Sequence, residues 1–163
     1  MATPTYTLID SVTLGASAAS VTFSGIPTDG TYRDLILVCQ AKSTSGECEL
    51  FCRINGDSAD SYAYVQAYTY NTSNGGAGGT GDRMYLTTRA GSTTDPTNCK
   101  AHFMDYAVTN KHTTIISTSG AAQNGVNMIA TKWPNNAAVN SLLIYGQNPY
   151  AAGSTFFLYG IAA

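Results

Sequence analysis

The chain predicts an all-β protein, a jelly-roll-like antiparallel β-sandwich, on three observations. Charged residues make up only 11% of its 163 residues, against a usual share of about 25%. Short alternating runs rich in β-branched and aromatic residues recur from end to end, with turn residues between them. Helix formers never cluster, and the only two glutamates, Glu47 and Glu49, fall inside one such run. So many short strands in a chain of this length require two packed sheets, and 1–163 reads as a single sandwich domain.

The strands are expected at 6–9, 20–24, 33–41, 47–54, 62–70, 84–89, 100–108, 113–118, 126–133, 141–145 and 155–161. The first follows a polar segment, 1–5, expected to be a flexible arm that orders on docking. Ser20 to Ser24 alternates strictly. It ends at Gly25-Ile26-Pro27-Thr28-Asp29-Gly30, where the proline removes a ladder donor and Asp-Gly reverses the chain. Residues 33–41 are apolar on both faces, with Leu35, Leu37 and Cys39 on one and Ile36 and Val38 on the other. A sandwich strand needs only one apolar face. The excess makes Ile36, Leu37 and Val38 candidates for contact with another subunit, a covering loop being the other reading.

Residues 47–54 alternate up to Asn55-Gly56, a strong hairpin cue. The run 62–70 sets Tyr62, Tyr64, Tyr68 and Tyr70 on one face, with Val65 and Ala67 opposite. Tyrosine tolerates one dry and one wet side, so Tyr62, Tyr64 and Tyr68 join the interface candidates, beside the plainer reading of a partly exposed sheet face. Residues 71–82, Asn-Thr-Ser-Asn-Gly-Gly-Ala-Gly-Gly-Thr-Gly-Asp, hold nothing that builds a core and are expected to form a long mobile surface loop. The β-branched runs 113–118 and 126–133 and the aliphatic 141–145 are ordinary strand sequences. The last strand, 155–161, is again apolar on both faces and adds Phe156 and Phe157 as interface candidates.

Composition also excludes function classes. A net charge of −2 gives no basic field for nucleic acid. The first twenty residues lack Lys, Arg and an apolar block, so no secretory signal is expected, and Asn71-Thr72-Ser73 carries no weight as a glycosylation sequon. No run approaches the ~18 apolar residues of a membrane helix.

No catalytic constellation is legible. His102 and His112 are the only histidines, and neither sits in a nucleophile signature. The glycine-rich segment lacks the Gly-Lys-Ser/Thr of a phosphate cradle. Asn55, Asp57 and Asp60 offer oxygens to calcium, but outside any EF-hand register, and acidic turn residues are common. Among the four cysteines, Cys48 and Cys52 lie on one strand face about 13 Å apart, too far to bridge. A hairpin between 33–41 and 47–54 would set Cys39 against either one, so Cys39–Cys48 and Cys39–Cys52 stay open beside the simpler reading of buried reduced thiols. The expectation is a protein without enzyme activity, cofactor or metal.

The order of motifs adds a resemblance. Residues 13–27, then Tyr32-Arg33-Asp34-Leu35-Ile36-Leu37, then Phe51-Cys52-Arg53-Ile54-Asn55-Gly56-Asp57 with Tyr62, resemble β-rich virion proteins of tailed bacteriophages. Leu142-Leu143-Ile144-Tyr145-Gly146 and Leu158-Tyr159-Gly160-Ile161 look like the ends of such domains. The likeness touches roughly the first third and last tenth of the chain, and 71–98 matches nothing in the family. It implies a homotrimer on the virion, without cofactor, assembled in the host cytoplasm. The first reading is a head decoration or cement protein that bridges subunits of the major capsid protein. A start Met and the lack of a stalk, heptads or collagen-like repeat favour it over a tail protein. The alternative is a tail-fibre or tail-tip receptor-binding domain, in which 71–82, 90–98 and 120–127 bind host glycan and Trp133 and the tyrosines stack on sugar rings.

Overall fold

The computed structural model describes residues 5–70, 72–88, 91–121 and 125–163, and among these it contains strands and no helix. In chain order they are β1 (Tyr6–Thr13), β2 (Ala18–Ser24), β3 (Tyr32–Ala41), β4 (Phe51–Ile54), β5 (Tyr62–Tyr70), β6 (Ser73–Gly81), β7 (Met84–Tyr85), β8 (Thr97–Met104), β9 (Thr113–Ala121), β10 (Gly125–Trp133), β11 (Ser141–Tyr150) and β12 (Thr155–Ala162). They form two antiparallel sheets. One has eight strands in the order β1-β12-β3-β8-β9-β10-β5-β6, and the other has four in the order β2-β11-β4-β7.

The jelly-roll character lies in three runs that cross from the large sheet to the small one. β1–β2, β3–β4 and β12–β11 lie side by side, so β12 is held between β1 and β3 while β11 is held between β2 and β4. Each strand crossing requires a corner, and turn residues supply it. Asn55 and Gly56 both take positive φ, 53° and 71°, as Asn-Gly predicts, with Asp57 N–H donating to the Ile54 carbonyl. The turn does not close a hairpin, however. β4 belongs to the small sheet and β5 to the large one, so the chain changes layer there.

Neither disulfide pairing considered from sequence forms, because the hairpin between 33–41 and 47–54 that would support them is absent and Cys48 lies outside β4, in a bridge with Gly91. β3 and β4 lie in different sheets, and Cys39 stands in register with Cys99 of β8 instead. All four thiols are free and buried, and burial pushes Cys48 up to about 11 and Cys99 up to about 12. They serve as small apolar fillers.

The core lies between the sheets, where Leu35, Leu37 and Cys39 of β3, Phe156 and Leu158 of β12, and Ala101 and Phe103 of β8 meet Val21, Phe23, Cys52, Ile54, Leu142 and Ile144 of the small sheet. Each large apolar side chain so buried contributes about 1.5–3 kcal/mol. At one rim Trp133 plugs the sandwich. Its Nε1–H donates to Asp57 Oδ2 at 2.7 Å, while Tyr62 donates its hydroxyl to the Asp57 carbonyl and accepts from the Ile54 amide.

Most of the expected mobile loop at 71–82 is a strand, β6. β6 pairs with β5 from Tyr62↔Gly81 to Tyr70↔Ser73 and forms one edge of the large sheet. Its glycines lack side chains to pack, but the tyrosines of β5 supply the missing cover: a Cβ on Gly75 would stand 2.8 Å from the Tyr68 ring, and one on Gly79 would stand 3.8 Å from the Tyr64 ring. Rings laid over a glycine strand stabilise it as the strand's own side chains would. Asn71, and with it the sequon, lies outside the described residues, as do positions 1–4 of the expected arm.

Candidate functional site

Because paired residues share a face, the register defines which side chains stand together on the outer surface of the large sheet. One row runs Thr13, Thr155, Gln40, Asn98, Gly120, Val126, Thr69, Asn74. The next runs Ser11, Phe157, Val38, Lys100, Thr118, Met128, Ala67, Gly76. A third runs Leu8, Tyr159, Ile36, His102, Ile116, Ala130, Val65, Gly78. Gly120 and Thr118 in the β9 column leave a trough between the Phe157–Val38 wall and the Val126–Met128 wall. It forms a groove of about 990 Å³ whose lining includes Gln40, Asn98, Lys100, Thr118 and Asn74.

The surface around the groove is apolar to a degree unusual for solvent-facing sheet. The described residues expose eight large apolar side chains, Tyr6, Leu8, Val38, Val65, Tyr70, Ile116, Val126 and Met128. All but Tyr70 stand on this one face, with Val65 at 61%, Val126 at 58% and Met128 at 57% exposure. Lys100 is the one charged residue lining the groove, and among the described residues it makes no ion pair. Gln40 Nε2 donates to Asn98 Oδ1 at 3.0 Å across the floor. Such a face binds by shape and desolvation, with a few amides and hydroxyls to orient the ligand.

The interface candidates from sequence divide. Val38 and Phe157 lie in the groove. Leu37, Phe156 and Tyr62 are fully buried in the core of the single chain. Ile36 is on the outer face, yet it is only 3% exposed, because Tyr159 and His102 flank it on the neighbouring strands. Tyr64 and Tyr68 face inward over β6, and Tyr64 packs on Tyr85 with ring centroids 5.0 Å apart. Sequence reasoning missed Val65, Ile116, Val126 and Met128. Each is a single apolar residue in a mixed strand, and only cross-strand register gathers them.

The calcium candidates are committed elsewhere. Asn55 Oδ1 accepts from the Asn140 and Ser141 amides, and Asp57 binds the Ala59 amide and the Trp133 indole. Among the described residues no group of three His, Cys, Asp or Glu side chains is placed to hold a metal ion. Trp133 is buried, so it is not available to stack on a sugar. Of the loops assigned to glycan binding, 71–82 is almost wholly strand, and 90 and 122–124 lie outside the described residues.

Among the described residues His102 is the one histidine with a carboxylate partner. Its Nε2 lies 3.0 Å from Asp34 Oδ2, which also accepts from Arg33, while Asp34 Oδ1 accepts from the Asp105 amide. Among the described residues no hydroxyl or thiol bonds to this pair, which ties β3 to β8. Burial by itself raises the Asp34 carboxyl, but the Asp105 amide, His102 and Arg33 outweigh it and hold the group below its ordinary 3.8. A carboxyl lowered on folding stabilises the fold above its unfolded pKa, and that stability is lost as pH falls through the lower folded value. Melting temperature should therefore drop below about pH 4, and Asp34→Asn should lower the neutral-pH value and flatten that drop, measured by thermal melts from about pH 6 to pH 2.

No family model and no curated protein matches this chain. Among solved structures it is similar to an exo-inulinase from Aspergillus awamori at TM-score 0.46 and 14% identity, covering 96% of this chain and 29% of that one. It is also similar to an alginate lyase, Aly36B, in complex with alginate trisaccharide, at TM-score 0.29 and 10% identity over 93% of this chain and 80% of that one. The chain thus spans less than a third of the exo-inulinase. Neither likeness is close enough to transfer a function.

Proposed function

We propose that this chain is a non-enzymatic structural protein of a tailed-phage particle, a cement or decoration protein that docks on the major capsid protein through the outer face of its eight-stranded sheet. The observation that carries the docking role is the gathering of seven of the eight exposed large apolar side chains on that face. Apolar surface of this kind marks an interaction site, and a groove with Lys100 as its one charged lining residue suits a broad protein contact more than a charged ligand. The virion setting comes from the motif resemblance in the first third and last tenth of the chain. The tail-tip, glycan-binding reading lost its tryptophan platform to the core.

The test is cosedimentation of purified protein with empty capsid shells, together with its copy number in purified particles. The expected result is saturable shell binding and a copy number that follows the shell subunits. The double change Val126→Asp with Met128→Asp should leave the melting temperature near that of wild type, because both side chains are more than half exposed. It should weaken shell binding by at least about a hundredfold, since each buried apolar side chain contributes about 1.5–3 kcal/mol. A wild-type protein that ignores shells, or that occurs only at the few copies of a tail, would overturn the cement assignment.

A further inference from the structure

We infer that β6 is a self-association strand: two copies of this chain pair antiparallel, β6 to β6, about a twofold axis at Ala77. This goes beyond the docking role and does not depend on it. Three observations lead to it.

The first is that β6 is an open edge. It ends the large sheet, and no element among the described residues pairs with its outer side. Half of its backbone N–H and C=O groups therefore point away from β5. Natural edge strands are protected by charge, proline, bulges or short length. The opposite edge, β1, has a bulge between Leu8 and Asp10 and a charge at Asp10. β6 has nine residues, full register with β5, no charge and no proline.

The second is the symmetry of its sequence. Ser73-Asn74-Gly75-Gly76-Ala77-Gly78-Gly79-Thr80-Gly81 is nearly palindromic about Ala77. A twofold contact needs residue i to meet j while j meets i. Antiparallel pairing centred on Ala77 meets that condition: Gly76 faces Gly78, Gly75 faces Gly79, and at both ends Asn74 faces Thr80, a polar cross-strand pair on the outer face. No like charges meet, and no side chain at the four glycine pairs obstructs the ladder.

The third is a glycine that the single chain does not require. A Cβ on Gly75 would displace the Tyr68 ring from its place over the strand, and Gly76 and Gly78 would set a Cβ 3.0 Å from β5 carbonyls. Gly79 has ordinary room at 3.8 Å. In the pair, Gly79 lies beside the partner's Gly75, where the partner's Tyr68 ring reaches across toward the edge. The bare position fits the ring of the second copy.

The test uses the full chain, by sedimentation equilibrium and hydrogen exchange. The expected species contains two chains of 17.1 kDa, with outward β6 amides protected at high concentration and exchanging on dilution. Ala77 is exposed, so Ala77→Lys leaves the fold intact, as its melting curve will report, and sets two ammonium groups against each other at the axis. Self-association should weaken roughly tenfold or more, while Ala77→Val retains it. A wild-type monomer at all accessible concentrations overturns the inference. So does the trimer that the phage resemblance implies, or a dimer whose β6 amides stay unprotected or whose mass Ala77→Lys does not change. If Ala77→Lys fails to fold, the wild-type exchange pattern alone decides.

Discussion

Leu37→Asp is expected to leave no cooperatively folded protein at room temperature, while Val38→Asp, one residue along the same strand, leaves the fold nearly untouched. Leu37 is completely buried and stands in register with Leu158 and Ala101 in the core. Aspartate there forfeits about 1.5–3 kcal/mol of apolar burial and adds the several-kcal/mol cost of a carboxyl with no partner. A domain has only about 5–15 kcal/mol in total. Val38 projects to the outer face at 36% exposure, between Phe157 and Lys100. A carboxylate there is solvated and gains a lysine across the strand, so its effect should stay within about 0.5 kcal/mol. Circular dichroism melts of the two variants make the comparison. A well-folded Leu37→Asp with an unfolded Val38→Asp would mean that β3 is turned by one residue, which exchanges every side chain between faces.

Trp133→Ala is expected to lower stability by about 3–5 kcal/mol, the usual cost of removing a large aromatic from a packed core. Trp133 is 1% exposed at the end of β10 and bonds Asp57 at the corner where the chain leaves the small sheet. Its loss leaves both a cavity and an acceptor without its indole donor. For a chain of this size, about 2–4 °C per kcal/mol puts the melting temperature down by roughly 6–20 °C. Trp133→Phe separates the two contributions, because it restores much of the volume without the N–H. A Trp133→Ala melt within about 2 °C of wild type would show that the rim is closed by other contacts.

The strands were largely legible because period-two alternation is a local signal. All eleven expected runs overlap an observed strand, from 6–9 to 155–161. β6 was not, since glycine carries no alternation and the residues that support it, Tyr64 and Tyr68, belong to the preceding strand. The tyrosine stripe was correctly assigned to one face, but that face turns inward. Asn55-Gly56 shows the same limit: turn chemistry set positive φ, while the sheet that receives the next strand depends on packing far away in sequence. The candidate site was half legible. Val38 and Phe157 stood out in strands apolar on both sides, whereas Val65, Ile116, Val126 and Met128 became a surface only through register.

The seating of β12 between β1 and β3 has a consequence for how the molecule is made. The ribosome extrudes residues 6–41 long before 155–162, so the two flanking strands wait with unfilled ladders until the closing piece emerges. Vectorial synthesis therefore cannot complete the large sheet stepwise, and its consolidation follows the emergence of residues 155–162. Nascent chains stalled just short of Thr155 should remain protease-sensitive, and those extended past Ala162 should become resistant in a single step.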